Sequence, residues 1–181
     1  MPAFIALLRG VNVGRSKRVP MADFRQLLEG LGYTNVVTLL NSGNAVFRAP
    51  RGTPAKFADD IAAALLTQLG VEVCVIVKSA REFSRIVDDC PIETPSTEHS
   101  QFLVAFVQQP KMLTALEGIS PLVKRPERFA IGGEAAYLHC AGGILQSKAG
   151  EALLGQSRRN ATTTRNWATV LKLRALACPD N

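Results

Sequence analysis

The residues of this chain able to do chemistry gather in three short polar motifs, and none of the three is a catalytic set. The first is Arg9-Gly10-Val11-Asn12-Val13-Gly14. Two glycines four apart allow a tight, exposed backbone, and such a backbone can turn its N–H groups toward an anion. The second is Asn41-Ser42-Gly43-Asn44. It reads first as a turn, because Gly and Asn tolerate positive φ, but two asparagines around Ser-Gly carry more donors and acceptors than a turn requires. The third is Asn160-Ala161-Thr162-Thr163-Thr164-Arg165-Asn166-Trp167. Three threonines ahead of a helical pattern are a surplus of N-caps, and a helix N-terminus with an arginine beside it attracts anions.

Phosphate is the anion these residues suit, yet the first motif is no P-loop. A P-loop has four residues between its glycines and then Gly-Lys-Ser/Thr at a helix start. Here three residues intervene, Arg15-Ser16 stands where Lys-Ser/Thr is needed, and the helical pattern begins only at Pro20. The spacing is equally not GxGxxG, so an ATPase or dinucleotide reading is rejected.

Charge supports an anion partner. The net charge is +6, and the excess sits at the two ends of the chain. Residues 1–20 hold Arg9, Arg15, Lys17 and Arg18 with no acid; residues 141–178 hold Lys148, Arg158, Arg159, Arg165, Lys172 and Arg174 against Glu151 alone. Brought together, the ends would form one basic patch for a phosphate, a nucleotide or a nucleic-acid backbone. Kept apart, they are solvated surface.

Other chemistries lack their residues. Cys74, Cys90, Cys140 and Cys178 form no CxxC pair and no zinc spacing. The two histidines are His99 and His139, and His139 adjoins Cys140, so in a strand the two side chains point to opposite faces. No HxxxH or HxE arrangement occurs and no pair of carboxylates stands out. Glu82, Asp88 and Asp89 read as capping and a solvated helix end. No cofactor or metal is expected.

The elements that must position the three motifs follow from periodicity. Phe4 to Leu8 is an apolar strand. Met21, Phe24, Leu27, Leu28 and Leu31 form one helix face, closed by Gly32. Val36–Leu40 and Ala45–Phe47 are strands around the second motif. Thr53-Pro54 caps a helix carrying Phe57, Ile61, Leu65 and Leu69, closed by Gly70. Val71–Val77 is a strand, and Ser79 to Glu82 is a capping box. This is the β-α-β-β-α-β order of a ferredoxin-like half over residues 1–89.

Residues 90–100, rich in Pro, Ser and Thr, read as a connector. Over residues 101–181 the pattern reads β-α-β-β-α-α: strand Gln101–Val107, a helix from Pro110, a hairpin of Arg128–Ile131 with Ala135–Cys140, and helices at Lys148–Leu154 and Thr164–Ala177. The expected class is α+β, two ferredoxin-like split β-α-β halves with antiparallel sheets and an extra C-terminal helix. At 181 residues and 47% hydrophobic content, the chain buries roughly two-thirds of its unfolded surface without a disulfide or metal staple. The run Ala3–Leu8 is too short for a signal-peptide core, and no stretch approaches a membrane span, so the expected compartment is the cytoplasm.

The segments LLRGVNVG, Lys17, Met21, NSGNAVF and ATTTRNWATVLKL resemble the bacterial family called domain of unknown function 1697, over residues 3 to about 176. That family's hairpin commonly has Gln where Asn41 stands, and its first motif often ends in a double glycine where Arg15 follows Gly14. The resemblance implies ferredoxin-like halves and no established activity. It also implies that the three shared motifs belong to one site.

The leading expectation is therefore a phosphate-type anion site. Arg9, Lys17, Arg165 and Lys172 supply charge; Gly10, Gly14, Thr163 and Thr164 supply backbone N–H groups and hydroxyls; Asn12, Ser42, Gly43, Asn44 and Asn166 orient the ligand. Its ligand would be a nucleotide, a phosphorylated metabolite or a nucleic-acid phosphate. A nucleic-acid module is the first alternative, although the strand available for base stacking, Gly43 to Phe47, has one aromatic, Phe47, and aromatic content is 6%. A non-catalytic interaction protein is the second. Oligomeric state is left open.

Overall fold

The structure, a computed structural model, describes residues 1–15, 17–159 and 162–178. It is α+β, with two four-stranded antiparallel sheets built from split βαβ units and a C-terminal helix. Two compact units divide it, Met1–Phe83 with Leu173–Asn181, and Ser84–Lys172.

In the first unit β1 (Ala3–Leu8), α1 (Met21–Gly30), β2 (Thr34–Leu39), β3 (Asn44–Arg48), α2 (Pro54–Leu69) and β4 (Val75–Ser79) run in the expected order. The sheet order is β2-β3-β1-β4, which puts β1 at the centre with Phe4 opposite both Phe47 and Ser79. Every residue of β1 is buried, which is why this strand reads as an unbroken apolar run and not as an alternation. One face packs Phe4, Ala6, Leu8, Ala45, Phe47, Val75 and Val77 against Phe24, Leu28, Phe57, Ile61 and Leu65 of the helices. Phe47 stacks on Tyr33 with centroids 4.6 Å apart and lies 5.8 Å from Phe4.

Local signals set the ends of these elements. Thr53 accepts from the Lys56 N–H at 3.2 Å, and Gly70 ends α2 in the left-handed region at φ 65°. The capping box before α3 (Ala80–Asp88) forms in both directions: Glu82 donates its N–H to Ser79 Oγ, and Ser79 donates its own to Glu82 Oε2 at 2.7 Å. The fourth strand begins at Val75, later than the expected Val71.

The second unit contains β5 (Phe102–Val107), β6 (Arg128–Ile131), β7 (Ala135–His139), α4 (Lys148–Arg159) and β8 (Thr162–Asn166), with sheet order β6-β7-β5-β8; α5 (Trp167–Ala177) follows. Two expectations are corrected. The segment from Pro110 to Leu122 is a 3₁₀ helix, and Pro121 lies inside it. Residues 162–166, expected as the cap and start of a helix, are instead a strand paired antiparallel with β5, from Leu103↔Asn166 to Val107↔Thr162. The order is therefore β-3₁₀-β-β-α-β followed by a helix, not β-α-β-β-α-α. β-branched threonines suit a pleated edge, and pairing with β5 outweighs their capping tendency. The segment expected as a connector contains a 3₁₀ helix, Ser96–Gln101, and is tied to this second sheet.

Both tyrosines of the chain, Tyr33 and Tyr137, are buried. Burial, with Asp60 adding to it, pushes the Tyr33 phenol up to about 12. Burial first, and then Cys90, Asp89 and Glu134, pushes that of Tyr137 up as well; its hydroxyl donates to Ile86 O at 2.6 Å. A phenol whose folded pKa exceeds its unfolded value of about 10 contributes stability that is fully present below pH 10 and lost as pH rises through the folded value. A spectrophotometric titration of the folded chain should therefore show no phenolate near pH 10, whereas in denaturant both rings should ionise there. A folded-state transition near 10 would refute the burial of at least one ring.

Candidate functional site

In the first unit the first two motifs meet. Strand β1 ends at Leu8, whose N–H donates to Gly43 O at 2.8 Å, and Arg9 N–H donates to Cys74 O at 3.0 Å. The chain then enters a loop in which Gly10, Asn12 and Gly14 all have positive φ (62°, 57° and 58°), while Val11 and Val13 do not. Left-handed residues at every second position make this a tight loop.

Asn12 holds this loop in place. Its Nδ2 donates to Val19 O at 2.7 Å and to Asn41 O at 2.8 Å, and its Oδ1 accepts from Val19 N–H at 2.9 Å. Its own N–H donates to Lys17 O at 2.8 Å. The amide expected to orient a ligand is thus committed to the protein's own backbone. Asn44 is engaged in the same way: it is fully buried and its Nδ2 donates to Leu39 O at 2.9 Å and to Ser42 Oγ at 2.8 Å. Gly43, at φ 82°, is needed for close approach as well as for the turn. A Cβ there would lie 2.6 Å from Leu8 Cβ and 2.7 Å from Val11 Cγ2.

The cations of this region differ in reach. Arg15, Lys17 and Arg18 are exposed and Arg9 is half-buried, while the Lys17 ammonium donates to the Glu72 carbonyl. Burial pushes the Cys74 thiol up and Arg9 opposes this, so Cys74 is no ready thiolate; burial also raises Cys90 and Cys140. Ser16, Asn160 and Ala161 lie outside the described residues.

Of the third motif, Thr162–Asn166 form β8, in the second unit, and Trp167 opens α5. Arg165 is 8% exposed, and its guanidinium donates to Thr163 Oγ1 and Thr164 O, each at 2.8 Å. Burial lowers its pKa to about 10, so it is still a cation at neutral pH. Thr163 is buried and Thr164 half-buried. Asn166 is the N-cap of α5, accepting from Thr169 N–H at 2.9 Å, and Lys172 is exposed on α5. Asn166→Ala should cost about 1 kcal/mol and Asn166→Ser little, the signature of a cap. Urea titration separates the two; equal costs would point to another role for the amide.

One polar cluster around a buried histidine is not legible in the sequence. His139, 4% exposed, has Nε2 at 2.7 Å from Glu98 Oε2 and Nδ1 at 3.4 Å from an Arg128 nitrogen. Arginine only donates, so Nδ1 accepts and Nε2–H donates to the carboxylate. Arg128 also donates to Glu93 O at 2.6 Å, which fastens residues 93–98 to β6 and β7. Glu98 and His139 are 41 residues apart, beyond any local pattern. Cys140 lies on the opposite face from His139, in the hydrophobic core, as adjacent strand positions require. Among the described residues no group of three His, Cys, Asp or Glu side chains is placed to hold a metal ion.

The family described as a protein of unknown function, DUF1697, matches residues 1–137. This chain belongs to DUF1697. The matched span contains the whole of the first two motifs and stops before β8. For this DUF1697 chain a solved structure, the conserved bacterial protein SP0830 from Streptococcus pneumoniae, superposes with a TM-score of 0.78 at 20% identity, covering 97% of this chain and 98% of the other. That likeness carries the fold. No curated protein matches. Among the described residues of this family member, no helix is long and apolar enough to cross a membrane.

Proposed function

We propose that the loop from Arg9 to Arg18 binds a phosphate-type anion, supplied by a nucleotide, a phosphorylated metabolite or a nucleic-acid phosphate. The observation that carries this reading is the tight loop, left-handed at Gly10, Asn12 and Gly14, with the exposed Arg15, Lys17 and Arg18 directly after it. The three Asn12 side-chain bonds support it, because they hold the loop before any ligand arrives. So does the sign of the surroundings: Arg9, Arg15, Lys17 and Arg18 stand in a stretch with no acidic residue.

Side-chain roles change relative to the three-motif expectation. Asn12, Ser42, Gly43 and Asn44 serve as the scaffold of the loop, and the exposed Arg15 and Arg18 make the ionic contacts. Thr163, Thr164, Arg165, Asn166 and Lys172 form the candidate set of the second unit. Base stacking on Phe47 has no support, since that ring is fully buried.

The test is ligand-dependent melting of the full chain with inorganic phosphate, pyrophosphate, nucleotides and a short oligonucleotide. A ligand at a hundred times its Kd should stabilise by about 2.7 kcal/mol. The Arg15→Ala/Arg18→Ala variant, altered only at exposed positions, should melt like wild type alone and lose the ligand-induced shift. Arg165→Ala, run in parallel, assigns or removes the second set. If no phosphate compound shifts wild type more than the double variant, the reading is wrong.

A further inference from the structure

A cleft of about 220 Å³ in the second unit has Lys124, Arg125, Glu127, Gln146 and Lys148 on its walls. The two lysines and the arginine are exposed. Among the described residues no acid pairs with any of the three, and no hydrogen bond holds their side chains. Glu127 is the acid of the wall, and its carboxylate accepts from the Lys124 N–H at 3.0 Å. Three cations against one carboxylate leave the walls with a net two positive charges.

The main chain fixes the segments that carry these residues. Glu127 N–H donates to Lys124 O at 2.8 Å and closes the turn that holds Arg125, and Gln146 N–H donates to Gly143 O at 3.2 Å ahead of α4. Lys148 stands against the preference of its helix. Ser147 Oγ accepts from Gly150 N–H at 2.9 Å, so Ser147 caps α4 and Lys148 is the first helical residue. A helix N-terminus carries partial positive charge, which disfavours a cation there. Lys124 and Arg125 bring further like charge to the same cleft. Folding gains nothing from this arrangement, and an anion in the cleft turns each repulsion into an attraction. Size limits the ligand: about 220 Å³ is below the roughly 300–1,000 Å³ of sites that enclose drug-sized molecules, so a nucleotide would not fit inside.

We propose that this cleft binds a small anion with two or more negative charges, a polycarboxylate or a phosphate, which Arg125 grips through its planar fork while Lys124 and Lys148 act as point charges. The proposal does not rest on the reading of the Arg9–Arg18 loop, which lies in the first unit. Calorimetric titration of the full chain in the Arg15→Ala/Arg18→Ala background, where the exposed arginines of that loop are absent, would use acetate, citrate, pyrophosphate and a short oligonucleotide. Citrate or pyrophosphate should bind at least about tenfold more tightly than acetate, and whichever binds better tells a carboxylate ligand from a phosphate one. Arg125→Gln and Lys148→Gln, altered only at exposed side chains, should melt like their background without ligand and should each weaken that binding about tenfold. Citrate and pyrophosphate no tighter than acetate, or affinity unchanged in both variants, overturns the proposal. So does binding of the oligonucleotide alone, the mark of a nucleic-acid surface. A variant that melts clearly lower without ligand assigns its side chain to the fold and overturns its role as a ligand contact.

Discussion

Asn12→Ala should be among the most damaging polar substitutions in the first unit, lowering stability by about 3 kcal/mol. Two terms contribute. The side chain makes three hydrogen bonds to backbone groups, at 2.7, 2.8 and 2.9 Å, and alanine leaves Val19 N–H, Val19 O and Asn41 O without that partner. Part of this loss is recovered from water, because Asn12 is only half-buried. The second term is the backbone: φ is 57°, where alanine is strained and asparagine is tolerated. For a chain of this size, about 3 kcal/mol moves the melting midpoint by roughly 6–12 °C. Asn12→Gly separates the terms, since glycine keeps the conformation and loses the bonds. Asn12→Asp keeps the acceptor for Val19 N–H but sets a carboxylate against two carbonyls, so it should be no milder than alanine. A melting midpoint for Asn12→Ala within about 2 °C of wild type would remove the staple account, since even one lost bond exceeds that.

Gly43→Ala should cost a similar amount for a different reason. The added methyl would sit 2.6 Å from Leu8 Cβ and 2.7 Å from Val11 Cγ2, and both neighbours are buried, at 0% and 1% exposure. Neither can swing into solvent, so the end of β1 or the turn must shift. Overpacking of this kind costs about 1–3 kcal/mol, and the left-handed φ of 82° adds about 1. Gly10→Ala is the control: its φ is 62°, but nothing lies within 4 Å of where the added methyl would sit, so only the backbone term of about 1 kcal/mol applies. Urea titrations should show the midpoint falling two to three times further for Gly43→Ala than for Gly10→Ala, about 3 against 1 kcal/mol, with the slope unchanged. Equal losses would mean that the turn and strand β1 do not approach as described.

These two positions also mark how far sequence reasoning reaches. The glycines at 10 and 14 are legible as tight-turn residues, and the segment 41–44 as a turn. That Asn12 commits its amide to Val19 and Asn41, and that Gly43 is small because Leu8 and Val11 press on it, is not legible. Asn41 is 29 residues from Asn12, and Gly43 meets Leu8 through the pairing of β1 with β3, so no local spacing encodes these contacts. The same limit explains β8. Three threonines before an apolar pattern satisfy the rules for a helix start as well as for a strand, and the choice falls to β5, some 60 residues earlier, whose open edge they complete. The cap then moves to Asn166, a residue whose type and place in the motif suggest a ligand contact.

The sequence by itself determined the α+β class, the ferredoxin-like order of the first half, the helix caps at Thr53 and Ser79, the left-handed glycine at 70, and the collection of four cations with no acid in the first twenty residues. All of these rest on interactions within a few residues of one another or on composition, which a linear reading contains. Only the tertiary structure decided that residues 162–166 are a strand, that His139 and Glu98 pair, and that the first loop and the β2–β3 turn are bound together. Those facts follow from hydrogen bonds and packing between distant segments, whose energies exist only once the sheets have formed.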